Sequence, residues 1–455
     1  MASLAVLLKN RGHKITGSDE NIYPPMSDFL IENQIEVAQG YQPEHLQPHP
    51  DYVVLGNALS RGNAEVEYAL EAHLHYLSMA ELLKNEFIRG NRSVVVSGTH
   101  GKTGTSSLAA HVLHACGEDT GFMIGGIPEN FGTSSLDVKK GGYFVVEGDE
   151  YDTSLFDKRS KFFHYLPDLL IINNIEFDHA DIFNNLEEIK KSFSLMLRQI
   201  PRNGLILVNG DDEHALEVAK TGFTPYVTFG MGEHCEALIS QCAPLTGELG
   251  MKFELSFQGK NYSLKIPLLG EFNVRNATAV ILLALHEGIA IEKIQAALNS
   301  FKNVRRRLQR VNQSGKIKVF DDFAHHPTAI AETIKAVRLA WPAAKIHAVY
   351  EARSNTSVRK FHQERMATAF ADADSVCFYK LHRGDSIALD DRLDLSKIVD
   401  QLRAANKTAD CIDNLDQIAD YAVALAEPGD IILVMSQGSF GGVQHKIATK
   451  IDALS

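Results

Sequence analysis

One short stretch, Val94–Thr105 (VVVSGTHGKTGT), constrains this chain more than any other. A β-branched run that reads as a buried strand breaks into Gly98-Thr99-His100-Gly101-Lys102-Thr103-Gly104, and a helical pattern, SSLAAHVLHAC, follows. Strand, glycine loop and helix in that order form a phosphate cradle. The glycines let backbone N–H groups approach the phosphates, the helix presents its positive end, and Lys102 reaches the outer oxygens. The Thr103 hydroxyl is placed to ligate Mg²⁺. The loop departs from G-x-x-x-x-G-K-[ST], because Val96 stands at the first glycine position. The competing reading is a glycine-rich turn with a solvated lysine; agreement of strand, loop, lysine, hydroxyl and helix favours nucleotide binding by residues Gly98 to Gly104.

Two further strands end in groups that suit the same chemistry. Tyr143–Asp152 (YFVVEGDEYD) finishes in Glu147, Asp149, Glu150 and Asp152, and Leu169–Asp181 (LLIINNIEFDHAD) runs into Asn174, Glu176, Asp178 and His179. Carboxylates at the carboxyl end of a parallel strand beside a phosphate loop suit a hard, oxygen-seeking cation. Taken alone, the first is equally a solvated acidic turn and the second a structural histidine. Three such strand ends in succession favour a site.

The rest of the chain supplies the frame. At 455 residues it predicts about three domains at ~100–200 residues each. Strand-like runs alternate with helical patterns, which predicts an α/β fold with helix-covered parallel sheets. Candidate strands are Lys14–Asp19, Tyr52–Gly56, Leu205–Asn209, Ile317–Phe320, Ile346–Tyr350, Ser375–Tyr379 and Ile431–Met435, and an antiparallel hairpin turns at QGKN around Gly259. Polar Lys84–Ser93 reads as one linker, and Val304–Arg310 with the Asn312–Gly315 turn as another. The boundaries fall at 1–88, 89–311 and 312–455. A formal charge of −12 argues against a nucleic-acid surface, and no apolar run reaches the ~18–20 residues of a membrane span. The N-terminus lacks the order of a signal peptide, and five cysteines without a C-x-x-C pair argue against a disulfide framework. A cytoplasmic protein is expected.

GTHGKT, EGDEYD, NNIEFDH, GEFNVRNA (Gly270–Ala277), RRRLQR and DDFAHHPTA (Asp321–Ala329) occur in the order of the Mur ligases, which the chain resembles over nearly its whole length. The family consists of ATP-dependent amide-forming enzymes of peptidoglycan synthesis. SDENIYPPMS (Ser18–Ser27), GGIPENF (Gly125–Phe131), FDKRSKFFHY (Phe156–Tyr165), EARSNT (Glu351–Thr356) and MSQGSFGG (Met435–Gly442) resemble one branch of it. That branch joins UDP-N-acetylmuramate to the murein tripeptide L-alanyl-γ-D-glutamyl-meso-diaminopimelate in peptidoglycan recycling.

The resemblance implies a Rossmann-like N-terminal domain, a central P-loop ATPase-like domain and a C-terminal Rossmann-like domain that close around their substrates. It implies ATP and Mg²⁺ as cofactors and Lys102, Glu150 and His179 as catalytic residues. Thr103, Glu150 and His179 would hold metal, Asn276 would contact adenine, Arg306 in the Arg305–Arg307 run would contact phosphate, and Asp322 would lie near the ribose. Asp19, at the acidic position of a Rossmann-like strand end, and Asn130 are assigned to the UDP-sugar. Arg353, Ser354 and Asn355 are assigned to the peptide, with Ser436–Gly442 as the facing wall. Several positions depart from the family pattern. Met1–Ala5 reads as part of the helix after the family's first glycine loop, Gly104 replaces a threonine, and Phe272 stands where relatives often carry histidine. A carbamylated lysine is used in some branches; Lys190 and Lys191 are nearest here, and neither is assigned. The alternatives are a UDP-N-acetylmuramate–L-alanine ligase, a folylpolyglutamate-synthase-like ligase and a non-catalytic nucleotide-binding protein.

Overall fold

Apolar runs without alternation end up where both faces of a strand are covered. In the computed structural model, which describes residues 1–22, 26–246, 249–313, 315–381, 384 and 387–454, the strands Arg92–Ser97, Leu169–Ile172 and Leu205–Asn209 lie at the centre of a ten-stranded sheet. From one edge to the other it runs Lys260–Ile266, Met251–Phe257, Ala237–Pro244, Tyr226–Gly230, Leu205–Asn209, Leu169–Ile172, Arg92–Ser97, Tyr143–Gly148, Thr120–Met123 and Ser135–Leu136. The interior pairs are parallel; the pair beyond Ala237–Pro244 and the Ser135–Leu136 edge are antiparallel. The expected hairpin is present, with Phe257 opposite Lys260 and positive φ at Gln258 and Gly259, as a two-residue primed turn requires.

The order places the Arg92–Ser97 strand between Tyr143–Gly148 and Leu169–Ile172, with later strands added on either side of it. Such a reversal opens a crevice at the carboxyl ends of the strands. The motif-bearing turns after Ser97, Gly148 and Ile172 therefore meet at one edge of the sheet.

A six-stranded sheet follows, in the order Gln309–Arg310, Lys318–Asp322, Ile431–Ser436, Ile346–Glu351, Ser375–Tyr379 and Thr408–Ile412. All its pairs are parallel except the short first edge, so this sheet already begins at Gln309. The N-terminal region holds two separate parallel strand pairs, Thr16–Asp19 with Glu36–Gln39 and Val53–Leu55 with Tyr76–Ser78. Helix Ala2–Asn10 contributes Leu4, Leu7 and Leu8 to an apolar cluster that also holds Leu77, Val138 and Phe144. Tyr23, Pro24 and Pro25 of the SDENIYPPMS segment, and Ser314 of the second predicted linker, lie outside the described residues.

Lys84–Ser93 is not a loose linker. Helix Met79–Leu83 continues into a π-helical turn over Lys84–Ile88, and Phe87 and Ile88 are buried. The Phe87 ring lies 6.0 Å from Phe144 on the central sheet, and the Arg11 guanidinium covers its other side at 3.9 Å. Arg11 also holds Asp137 through two hydrogen bonds of 2.7 and 2.8 Å. One apolar cluster runs unbroken from Leu4 to Ala219, so the first two regions share a core. The aromatic anchor was masked in the sequence by Lys84, Asn85 and Glu86. Phe87→Ala should cost about 3–5 kcal/mol in urea unfolding, as for other buried aromatic truncations; an exposed-linker residue would cost almost nothing.

Candidate active site

The Arg92–Ser97 strand delivers the chain into a loop that admits no extra atoms. Gly101 has φ +82°, and a Cβ there would lie 2.9 Å from Asn173 Nδ2 and 3.2 Å from Asn276 Oδ1. At Gly98 (φ +139°) a Cβ would meet Asn173 and Asn174 at 3.1 Å. The neighbouring strand end grips the loop: Asn174 accepts from the Thr99 N–H through its carbonyl at 3.1 Å and from the His100 N–H through its side chain at 2.8 Å. Helix Lys102–Ala115 starts immediately afterwards, and no side chain caps its N-terminus. Free N–H groups at a helix N-terminus favour an anion.

Three strand ends converge on Lys102. Its ammonium donates to Glu150 Oε1 and Oε2 at 3.0 and 2.8 Å and to the Gly98 carbonyl at 2.8 Å. His179 Nε2 lies 3.0 Å from Glu150 Oε1, and its ring packs 4.1 Å from Tyr151. The predicted catalytic trio is thus one hydrogen-bonded group. Thr103 lies apart from that group: its hydroxyl donates to Glu147 at 3.1 Å, and Glu147 also accepts from the Gly125 N–H at 2.6 Å. Glu147, named among the strand-end carboxylates but given no role, is the acidic partner of Thr103. Asp149 is paired with Lys161 at 2.7 Å and Asp152 with Lys158 at 2.6 Å.

Charge in this cluster is uneven. Burial disfavours the Lys102 ammonium, yet the carboxylates of Glu150, Asp149 and Glu147 overcome it and raise its pKa. Burial pushes the Glu147 carboxyl up. For His179, burial works downward and is outweighed by the bond and charge of Glu150, so its pKa is raised. Asp178 is buried, but His179, His325 and two hydrogen bonds hold it at about 2. The excess of carboxylates over cations, with a hydroxyl and an imidazole among them, is a donor set that fits Mg²⁺.

The crevice holds a cavity of about 940 Å³ lined from both the central and the C-terminal sheets. The phosphate loop, Glu147, His179, Phe272, Asn276, Arg307, Asp322, Phe323, His325 and Gln437 all reach it. Asn276 and Asp322 both line this cavity. Asp322 accepts from the Leu308 and Ala324 N–H groups at 2.7 and 2.8 Å. Arg306 does not line the cavity. It has φ +63°, pairs with Asp321 at 3.1 Å and donates to the Ser436 carbonyl at 2.7 Å, while Arg307 turns inward over Phe323.

The remaining predicted residues lie outside this cavity. Asp19 is exposed at its strand end and accepts from the Asn21 N–H. Both ends of the Asn130 amide are occupied by the backbone of Ser300 and Lys302, so it braces its loop while neighbouring Glu129 lines the cavity. Arg353 lies 3.7 Å from Glu351, and its guanidinium end packs directly on Gly438. Ser354 accepts from the Ser357 N–H, and Asn355 reaches Asp181 of the central region at 3.1 Å. Lys190 is held by Glu187 and Glu217 at 3.0 and 2.8 Å. The arginine geometry is testable: Arg307→Ala should weaken ATP binding about tenfold or more, as loss of a charge-assisted contact does, and Arg306→Ala should chiefly lower thermal stability. Nucleotide titration and thermal denaturation of both variants separate the two roles.

Comparisons with known proteins agree with this geometry. Three family descriptions match in sequence order: "Mur ligase family, catalytic domain" over residues 1–89, "Mur ligase middle domain" over 96–284 and "Mur ligase, glutamate ligase domain" over 306–438. The chain is 41% identical over 454 residues to the UDP-N-acetylmuramate–L-alanyl-γ-D-glutamyl-meso-2,6-diaminoheptandioate ligase of Haemophilus influenzae, covering 99% of this chain and 96% of the relative. It is 39% identical to the Escherichia coli ligase of the same name, covering 98% and 95%. A crystal structure of a murein peptide ligase from Psychrobacter arcticus superposes with a TM-score of 0.71 at 34% identity, covering 99% of this chain and 96% of that one. The phosphate loop, the carboxylate cluster and the two flanking regions fall inside the matched segments, and the chain belongs to the Mur ligase family of ATP-dependent amide-forming ligases.

Proposed function

We propose that this chain joins the carboxylate of UDP-N-acetylmuramate to the free amine of L-alanyl-γ-D-glutamyl-meso-diaminopimelate, with ATP supplying the leaving group through an acyl phosphate, in peptidoglycan recycling. Near-full-length identity of 41% and 39% to two ligases that bear the corresponding name supports the substrates. The observation that carries the chemistry is the Lys102–Glu150–His179 cluster at the mouth of an uncapped helix. A carboxylate is a poor acyl donor in neutral water, and phosphorylation makes it one. Such a step needs stabilised charge on the transferring phosphoryl oxygens and tight positioning of the reactants. The loop N–H groups and Lys102 meet the first need. For Lys102 to reach phosphate oxygens, its bond to Glu150 must loosen, which frees Glu150 and His179 together.

Mg²⁺ would be held by Thr103 and Glu147 on one side and by Glu150 and His179 on the other, and it supplies charge neutralisation to phosphate and carboxylate oxygens. Asn276 and Phe272 are assigned to the adenine, Arg307 to the phosphates and Asp322 to the ribose. Asp19 is assigned to the UDP-sugar on the N-terminal region. Among the described residues no helix is long and apolar enough to cross a membrane, and a nucleotide-linked substrate supports a cytoplasmic reaction.

The C-terminal domain is assigned the peptide. Arg353, at the carboxyl end of the Ile346–Glu351 strand, is aimed where α/β sheets take ligands, and its guanidinium suits a peptide carboxylate. The second reading is an L-alanine ligase. Proteins named UDP-N-acetylmuramate–L-alanine ligase align at 27–30% identity, as from Endomicrobium trichonymphae and Variovorax paradoxus.

Two measurements test these assignments. Lys102→Ala should lose product formation by about a thousandfold, in line with removal of a group that stabilises transition-state charge, while keeping its folded circular-dichroism spectrum. Wild-type protein given UDP-N-acetylmuramate and ATP should yield product by mass with the tripeptide and little with free L-alanine, and Arg353→Ala should raise the tripeptide KM about tenfold. Preference for L-alanine would select the second reading.

A further inference from the structure

The seam between the phosphate loop and the C-terminal domain contains a chain of polar contacts beyond those that phosphate binding uses. The Thr99 hydroxyl donates to the Glu176 carbonyl at 3.1 Å and accepts from the Glu176 N–H at 2.8 Å, so loop and residue 176 are held together. The Glu176 carboxylate then leaves its own domain. Its Oε2 accepts from the Thr328 hydroxyl at 2.9 Å and from the Arg365 guanidinium at 3.2 Å, and Arg365 also donates to Thr328 Oγ1 at 2.8 Å. Its Oε1 lies 3.6 Å from His100 Nε2. The His100 ring packs 4.3 Å from His326, which packs 4.5 Å from His362. Glu176 and Thr328 both line the phosphate cavity.

Donor atoms of His100, Glu176 and His326 lie within 4.8 Å of one another, a spacing that invites a metal. The tautomer opposes it. His326 Nδ1 accepts the Thr328 N–H at 3.3 Å as the cap of helix Pro327–Ala340, so the neutral ring carries its proton on Nε2 and offers no lone pair there. Burial holds His100 at about 3 and His362 at about 4, and also lowers His326, so these rings are neutral at physiological pH. The positive charge that meets Glu176 comes from Arg365.

A carboxylate beside bound phosphates repels them unless it is neutralised. We infer that Glu176 is a positioning residue that couples closure of the C-terminal domain to the phosphate loop. The domain brings Arg365 and Thr328 onto the carboxylate, which removes negative charge from beside the phosphates and fixes Thr99 in place. Its effect on turnover rests on the ligase reading above; its effect on closure does not.

Arg365 is more than half exposed, so Arg365→Gln leaves the packing of the core untouched. The full chain, Arg365→Gln, Thr328→Val, Glu176→Gln and the Glu176→Gln/Arg365→Gln double variant are compared in two ways. In steady state, Arg365→Gln and Thr328→Val should each lower kcat about tenfold and weaken ATP binding several-fold, because the uncompensated carboxylate then stays beside the phosphates. The double variant should be no slower than its slower parent, as expected for two residues acting through one contact. In solution scattering, a non-hydrolysable ATP analogue with Mg²⁺ should compact the wild type and not Arg365→Gln. Unchanged kcat in Arg365→Gln, losses that multiply in the double variant, or wild-type compaction of Arg365→Gln would each overturn the inference. An inactive wild type would overturn the ligase reading, and the scattering comparison would still decide the coupling.

Discussion

The close contact between the backbone at Gly101 and two asparagines governs the rest of the site. Asn173 belongs to one neighbouring strand end and Asn276 to helix Glu271–His286, so the loop is wedged between elements that the sheet and its core hold rigidly. A loop fixed in this way presents its N–H groups without paying for order when the nucleotide arrives. The same wedge sets the start of helix Lys102–Ala115, and with it the directions of Lys102 and Thr103. Those two side chains face different carboxylates, Glu150 and Glu147, one residue step apart on the helix and three along the acidic turn.

Much of this was legible in the sequence, for identifiable reasons. Leu205–Asn209 and Ser375–Tyr379 form strands with the limits read from sequence, because both are unbroken buried runs bounded by turn residues. The three motif-bearing strand ends do meet, since parallel strands in one sheet put their carboxyl ends on one edge. What the sequence does not resolve is the local choice between near-equivalent residues. Arg306 and Arg307 are chemically identical, and only the left-handed backbone at Arg306 decides which one turns inward. Glu147 and Glu150 lie on one acidic turn, and the helix that positions Thr103 sorts them. Asn130 looked like a ligand group because its sequence cannot show that the Ser300–Lys302 backbone occupies its amide. Arg365, which meets Glu176 across the seam, sits in a helix with no motif of its own.

The electrostatic design follows from burial. Removing several carboxylates from water raises the cost of leaving them uncompensated, and with Lys161 on Asp149 and Lys102 on Glu150, Glu147 is left to the Thr103 hydroxyl and the Gly125 N–H. The cluster is therefore suited to accept further positive charge.

The two seams between domains differ in kind. One apolar cluster crosses from the N-terminal helix into the central sheet, whereas the clusters of the central sheet and of the C-terminal sheet stay separate. The second seam is made of groups such as Thr328, Arg365, Asn355 and the Arg275–Glu332 and Lys335–Glu271 pairs, with Phe177 against Phe361 as an aromatic contact. Opening the first would expose hydrocarbon to water; opening the second exchanges protein partners for water at little cost. The first two regions thus share one continuous apolar body, and the third is attached to it largely through polar contacts that water can replace.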